Sequence, residues 1–283
     1  MFNKLMPITL LAFAPGYTYA EQLIDKEVIT PDIRVGSINI MASRMGSTDN
    51  LVLAIKKMDA DVIALQEVDK LTNRSGVNFS SVGEKPIDQA KYIADKLGMQ
   101  SYFCGAIEHD GGKYGSAVIS KYPIKLVKKA DLPNAEGGEQ RTACAVEIDI
   151  PDYPAPLMIV ATHLDHSSPE LRLKQVDFLQ TQFSSWQFAH ALPIIIGDLN
   201  FGPTSEEYKN ITAWFNDTDI DLQLTAPSWN PDRKIDYILT SNAQQWDIKS
   251  VSIPKPTDKV GKTIYARTTD HLPMVVEMNL IKQ

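Results

Sequence analysis

The stretch that most restricts this chain is residues 193–200, Pro-Ile-Ile-Ile-Gly-Asp-Leu-Asn. Three consecutive β-branched residues leave no solvated face, so the run reads as a strand buried on both sides. Gly197 closes it, and Asp198 and Asn200 emerge where strand gives way to loop. On extended backbone residues two apart point the same way, which turns both polar tips toward one site at the lip of a sheet. Gly-Asp and Asn-Phe-Gly-Pro are also ordinary turn chemistry, so this segment alone does not separate a site from a loop.

Other apolar runs end in the same manner. Residues 34–40 form a strand delivering Asn39, residues 61–68 one that ends in Gln66 and Glu67, and residues 157–163 one that ends in His163. Helical spacing appears at 49–58, capped by Thr48 or Asp49, and at 88–97, where Gly98 suits a C-cap. It recurs at 169–188, behind Ser168-Pro169, and at 204–215. Residues 71–86 read as a polar surface loop. Short runs at 101–107, 115–120, 125–132 and 142–150, separated by Gly or Pro turns, suggest an antiparallel meander. Residues 235–239 and 273–280 supply the last strands. Two strand-helix-strand halves with antiparallel insertions predict an α/β (α+β) fold. Its form would be two stacked mixed β-sheets flanked by helices, a four-layer sandwich with polar residues on the rim of strand ends.

Composition bears on partners and compartment. A net charge of −7 disfavours non-specific attraction to polyphosphate, without excluding a nuclease whose cleft is locally basic. The best basic segments, 121–129 and 255–262, are short, and no stretch interleaves Lys or Arg with aromatics so as to grip a polynucleotide backbone. Residues 1–20 combine Lys4, an apolar stretch and Thr-Tyr-Ala, which reads as a signal peptide cleaved after Ala20. Periplasmic or secreted location is therefore expected, with residues 21–283 as one domain, a monomer, and no transmembrane segment. Cys104 and Cys144 fall in apparent strands, where a small buried hydrophobe is the commoner role; in an oxidising compartment they can also pair.

Side by side, the strand-end polar residues are Asn39, Glu67, His163, Asp198, Asn200, Asp236, Asp270 and His271. Carboxylates and carboxamides without cysteine are hard oxygen donors, suited to Mg²⁺, Mn²⁺ or Ca²⁺ rather than zinc. Two histidines add proton transfer or phosphate contact near neutral pH. The set describes metal-assisted attack of water on a phosphorus ester. Each member also has a plainer reading: Glu67 as a solvated strand end, Asn39 as a turn residue, His163 as a satisfied core histidine, Asp236 in a structural ion pair.

In order along the chain stand Ser-Ile-Asn39-Ile, Leu-Gln-Glu67-Val, Tyr-Gly-Ser-Ala-Val-Ile-Ser, Thr-His163-Leu, Gly-Asp198-Leu-Asn200, Ile-Asp236-Tyr-Ile and Thr-Asp270-His271-Leu-Pro. This succession resembles the endonuclease/exonuclease/phosphatase superfamily over roughly residues 34–280. The resemblance implies Glu67 as the principal ligand of a divalent metal, Mg²⁺ in the first instance, with Asn39 beside it and Asp270 on the metal side. It implies Asp198 as the group orienting or deprotonating the attacking water, and Asn200 steadying the transition state. His271, held by Asp236, would contact the phosphoryl group or pass a proton, and His163 would face the phosphate or leaving group. Arg141, Asp165, Arg172 and Arg74 form a second tier of substrate contacts. Ser116 departs from the pattern, since many relatives carry asparagine there. The expected activity is hydrolysis of a phosphodiester or phosphomonoester, with a small molecule or lipid headgroup favoured. The alternatives are a secreted nuclease acting on DNA or RNA, and a binding module that kept the fold and lost its chemistry.

Overall fold

A strand that is apolar throughout is stable only between two covering layers, and the computed structural model of this chain provides both. It describes residues 27, 29–80, 83–184 and 188–281. The expected signal segment, residues 1–20, lies outside the described residues. The chain opens with β1 (Ile33–Asn39), α1 (Thr48–Met58), β2 (Val62–Lys70), α2 (Gln89–Leu97), β3 (Gln100–His109) and β4 (Gly112–Ser120). It crosses to a second sheet through β5 (Lys125–Asp131), β6 (Thr142–Ile148), β7 (Leu157–His163), α3 (Pro169–Phe183), β8 (Leu192–Asp198), α4 (Glu206–Ile211), β9 (Phe215–Asp217) and β10 (Asp236–Ser241). It returns through β11 (Trp246–Ser252) and a small ribbon of β12 (Lys259–Val260) with β13 (Thr263–Ile264), and closes with β14 (Met274–Leu280).

The strand orders are β11-β14-β1-β2-β4-β3 and β5-β6-β7-β8-β10-β9. Each sheet has one parallel pair, β1 with β2 and β7 with β8; its other pairings are antiparallel. Alternation along β8 explains the layers. Ile194 and Ile196 enter the core between the sheets with Val35, Ala64 and Val276, while Ile195 joins Val176, Leu179 and Phe183 of α3 on the outer side. Ile55 and Ile93 of α1 and α2 cover the far face of the first sheet. The order helix, sheet, sheet, helix is the expected four-layer sandwich. Burying each such side chain contributes about 1.5–3 kcal/mol.

Gly197 is required by close approach. A Cβ built there would collide with the backbone carbonyl of Thr162 on β7. Gly197→Ala is expected to cost about 3 kcal/mol in urea unfolding; a loss under about 1 kcal/mol would mean that β7 and β8 separate freely.

Several expectations change. The four short strands form no single meander: β3–β4 is an edge hairpin of one sheet and β5–β6 of the other. Between them Pro123 offers no N–H to a ladder, and Tyr122 and Ile124 turn into the inter-sheet core. The cap of α1 is Ser47, whose side chain accepts from the Asn50 N–H, rather than Thr48 or Asp49. The third helix stops at Phe183, and Phe188 reaches the same core from beyond it. The fourth covers only Glu206–Ile211, because Phe215 belongs to β9. Cys104 and Cys144 are bonded to each other and fully buried, joining β3 to β6 across the two sheets. Among the described residues no helix is long and apolar enough to cross a membrane.

Candidate active site

Strand register gathers the polar tips. His163 ends β7 opposite Asp198 at the end of β8, and Asp198 stands opposite Asp236 at the start of antiparallel β10. One row across three strands thus carries an imidazole and two carboxylates. Asn39 arrives from the other sheet, its Nδ2 donating to Asp198 Oδ2 at 3.1 Å and to Glu67 Oε1 at 3.1 Å. Glu67 occupies a bulge in the β2–β4 ladder with φ of +53°, a conformation that breaks strand alternation and sends its carboxylate to the rim. The rim where the two sheets meet is therefore the site.

Asp198 lies between two histidines of opposite character. His163 Nε2 is 3.5 Å and His271 Nε2 3.6 Å from Asp198 Oδ2. His163 Nδ1 faces the Arg141 guanidinium at 2.8 Å. An arginine can only donate, so Nδ1 accepts, the proton sits on Nε2, and the ring is neutral. Burial and then the Arg141 charge hold its pKa well below the ordinary value. His271 Nδ1 instead meets Asp236 Oδ2 at 2.8 Å. Burial lowers its pKa, but Asp236 and Asp198 together raise it to about 10, so this ring is an imidazolium. Burial pushes the Asp198 carboxyl up, with His271 opposing and Asp236 reinforcing the shift. Asp270 is raised by burial, a shift His271 opposes and nearby Glu67 reinforces.

Asn200 has φ of +56°, so it does not repeat the direction of Asp198. Its N–H donates to Asp198 Oδ1 at 3.0 Å and its Nδ2 to the Leu164 carbonyl at 3.1 Å, which fixes the loop beside the carboxylate. The second tier is divided. Arg141 stands in the site, bonded to His163 and 3.1 Å from Glu139, with its buried Nε unpartnered. Arg172 is instead spent on Glu207 at 3.0 Å and the Asp165 carbonyl, tying α3 to α4. Asp165 accepts from Ser167 and Ser168 in the turn before α3. Arg74 grips buried Asp69 through Nε and Nη2 at 2.6 and 3.0 Å, flanked by Phe79 and Tyr114. These three serve local structure here. Two neighbours escaped the sequence reading: Arg44, whose Nη2 is 2.9 Å from Glu67 Oε2, and Thr269, whose hydroxyl donates to the Asn39 carbonyl at 2.7 Å. Neither ends an apolar run, and Thr269 stands in the Thr-Asp270-His271-Leu-Pro stretch with no role of its own assigned.

Asp198, Asp236 and His271 bring a ligand atom each within 4.8 Å of one another. A charged imidazolium bonded to its carboxylate has no free lone pair for a metal, so this trio suits proton and charge relay. The donor chemistry fits a hard divalent cation better on the Glu67 and Asp270 side, where two partly buried carboxylates repel each other. Asn39 holds its oxygen on the Met41 N–H at 3.0 Å and presents nitrogen to Glu67, so in this rotamer it straps the carboxylates together rather than offering them a fellow ligand.

A buried carboxylate between a neutral and a charged imidazole, with acidic oxygen donors alongside on the rim of paired sheets, defines a site for hydrolytic chemistry. The chain belongs to the Endonuclease/Exonuclease/phosphatase family, whose model matches residues 36–271, and is with it a phosphoric ester hydrolase. No curated protein sequence matches it significantly. Among solved structures, it is similar in fold to an endonuclease/exonuclease/phosphatase family protein of Bacteroides thetaiotaomicron, at 17% identity and TM-score 0.66, covering 88% of this chain and 95% of that one. The same organism's mannosyl-6-phosphatase aligns at 18% identity and TM-score 0.65, covering 87% and 99%. The human Nocturnin catalytic domain with bound sulfate anion aligns at 22% and 0.63, covering 90% and 96%.

Proposed function

We propose that the chain is an exported, Mg²⁺-dependent phosphohydrolase of a small-molecule or lipid-headgroup phosphoester. The observation that carries the reading is Asp198, buried, raised in pKa and held between two histidines in opposite protonation states. Such a carboxylate is suited to take a proton from water near neutral pH. As the water oxygen bonds to phosphorus and the ester bond breaks, negative charge gathers on the phosphoryl and leaving oxygens. The Nε2–H groups of neutral His163 and cationic His271, both beside Asp198 Oδ2, are the donors available to that charge. Asp236 holds the His271 ring in place through Nδ1. Glu67 and Asp270 would hold the Mg²⁺ ion, which supplies charge neutralisation at the phosphoryl oxygens. Export is supported by the character of residues 1–20 and by the Cys104–Cys144 bond, which belongs with an oxidising compartment.

The test is a panel of sugar phosphates, phospholipids, plasmid and single-stranded DNA, with Mg²⁺ and with chelator. Turnover of the small or lipid esters, abolished by EDTA and restored by Mg²⁺, is expected. Cleavage of DNA alone would replace this reading with the nuclease one, and turnover unaffected by EDTA would remove the metal from it.

A further inference from the structure

We infer that the cleft continues into a second anion-binding groove along the edge strands β3 and β5, and that the substrate is a small phosphoester carrying a second phosphate or similar anionic group. The substrate half of this inference rests on the hydrolase reading above. The groove has a volume of about 440 Å³, and Lys70, Phe103, Ala106, Lys113 and Lys129 are among its walls. Ala106 also lines the narrow space beside Tyr114, Arg141 and His163. The groove and the site thus share Ala106, which stands at the bulge in β3 between Gly105 and Ile107.

Lysines beside an exposed edge strand often only guard it against pairing with another chain. Here β3 itself carries no lysine. The three come from β2, from β4 and, in the other sheet, from β5. Lys70 and Lys113 stand directly opposite each other in the β2–β4 ladder, where like charges weaken pairing. Asp88 at 3.3 Å and Glu108 at 2.9 Å offset one each. Among the described residues Lys129 meets no carboxylate. Its neighbours in the basic segment are otherwise engaged: Lys121 with Asp61 at 2.9 Å, Lys125 with Glu147 at 2.8 Å and Lys128 with Gln182 at 2.6 Å. A chain of net charge −7 therefore gathers three ammonium groups, against the single carboxylate of Glu108, at a groove that adjoins its phosphate site. A bound anion offsets the cost of that arrangement. Three cations at one groove fit a compact anion better than a polynucleotide, which needs a long basic track and free stacking rings; the Phe103 ring is already covered by Lys70, 5.4 Å from its centroid.

The experiment compares the full chain with its Lys113→Gln/Lys129→Gln variant, using fructose 1-phosphate and fructose 1,6-bisphosphate with Mg²⁺, and tripolyphosphate binding by calorimetry. The wild type is expected to prefer the bisphosphate. The variant should lose that preference roughly tenfold, through KM, and bind tripolyphosphate roughly tenfold more weakly. Equal preference and equal binding in both proteins would overturn the groove while leaving the hydrolase reading intact. Lysine-dependent tripolyphosphate binding without turnover of any ester would support the groove and sink the hydrolase reading. Lysine-dependent binding of a short single-stranded DNA, but not of tripolyphosphate, would overturn the small-molecule assignment in favour of a nucleic-acid strand.

Discussion

Asp198→Asn is expected to lower kcat by about 10³-fold, with KM little changed. The substitution keeps the shape of the side chain, and its single amide oxygen can still accept from one of the two donors, the Asn200 N–H at Oδ1 or Asn39 Nδ2 at Oδ2. What it removes is the anion, and with it the acceptor for the proton of the attacking water. The His271 imidazolium keeps Asp236 as its counterion, so no isolated buried charge is created. Unfolding free energy should therefore fall only by about 1–2 kcal/mol, for the one hydrogen bond lost. A variant that unfolds as the wild type does and keeps a tenth or more of the activity would remove Asp198 from the proton-transfer role.

Asp236→Asn is expected to act through the protonation of His271. Burial lowers the pKa of that ring, and the two carboxylates raise it to about 10. In the wild type His271 is consequently cationic below that value, and the alkaline limb of kcat/KM lies there. The acid limb reflects protonation of Asp198, above the usual aspartate range because burial shifts it upward. With Asp236 neutral, burial is opposed only by Asp198 and, more weakly, Asp270. The alkaline limb then moves down toward neutral pH, and activity near pH 8 falls by about 10²-fold. The profile is read from kcat/KM between pH 5 and 11, with the His271 ring followed by NMR. An alkaline limb that stays in place would mean that Asp236 only packs against the ring.

Much of the site was legible because each of its strands is apolar to its end and then abruptly polar. Asp236 is a lone carboxylate interrupting the apolar run 235–239, whereas Asn39, His163 and Asp198 stand at that break in pattern. Glu67 was found the same way, but its direction was not, because its left-handed backbone in a bulge is not written in Leu-Gln-Glu-Val. The second-tier arginines show the limit of composition: a guanidinium in a suggestive motif says nothing of whether a carboxylate is waiting for it. Arg172 and Arg74 found Glu207 and Asp69, while Arg141 found an imidazole. Strand β11 went unread because its Trp246–Ser252 burial follows no clean alternation, and its pairing to β14 carries a register shift.

Local pattern alone determined that this chain builds buried strands joined by amphipathic helices, and that acidic, amide and imidazole side chains sit at their tips. Those features are set by residues near one another in sequence, through periodicity and alternation. Tertiary structure alone decided that the short strands divide between two sheets, that Cys104 meets Cys144, and that His163 and His271 carry opposite charge states. Each of these depends on a partner far along the chain. A proton's position on a ring follows from whether an arginine or a carboxylate stands beside it, and only the folded chain brings that neighbour.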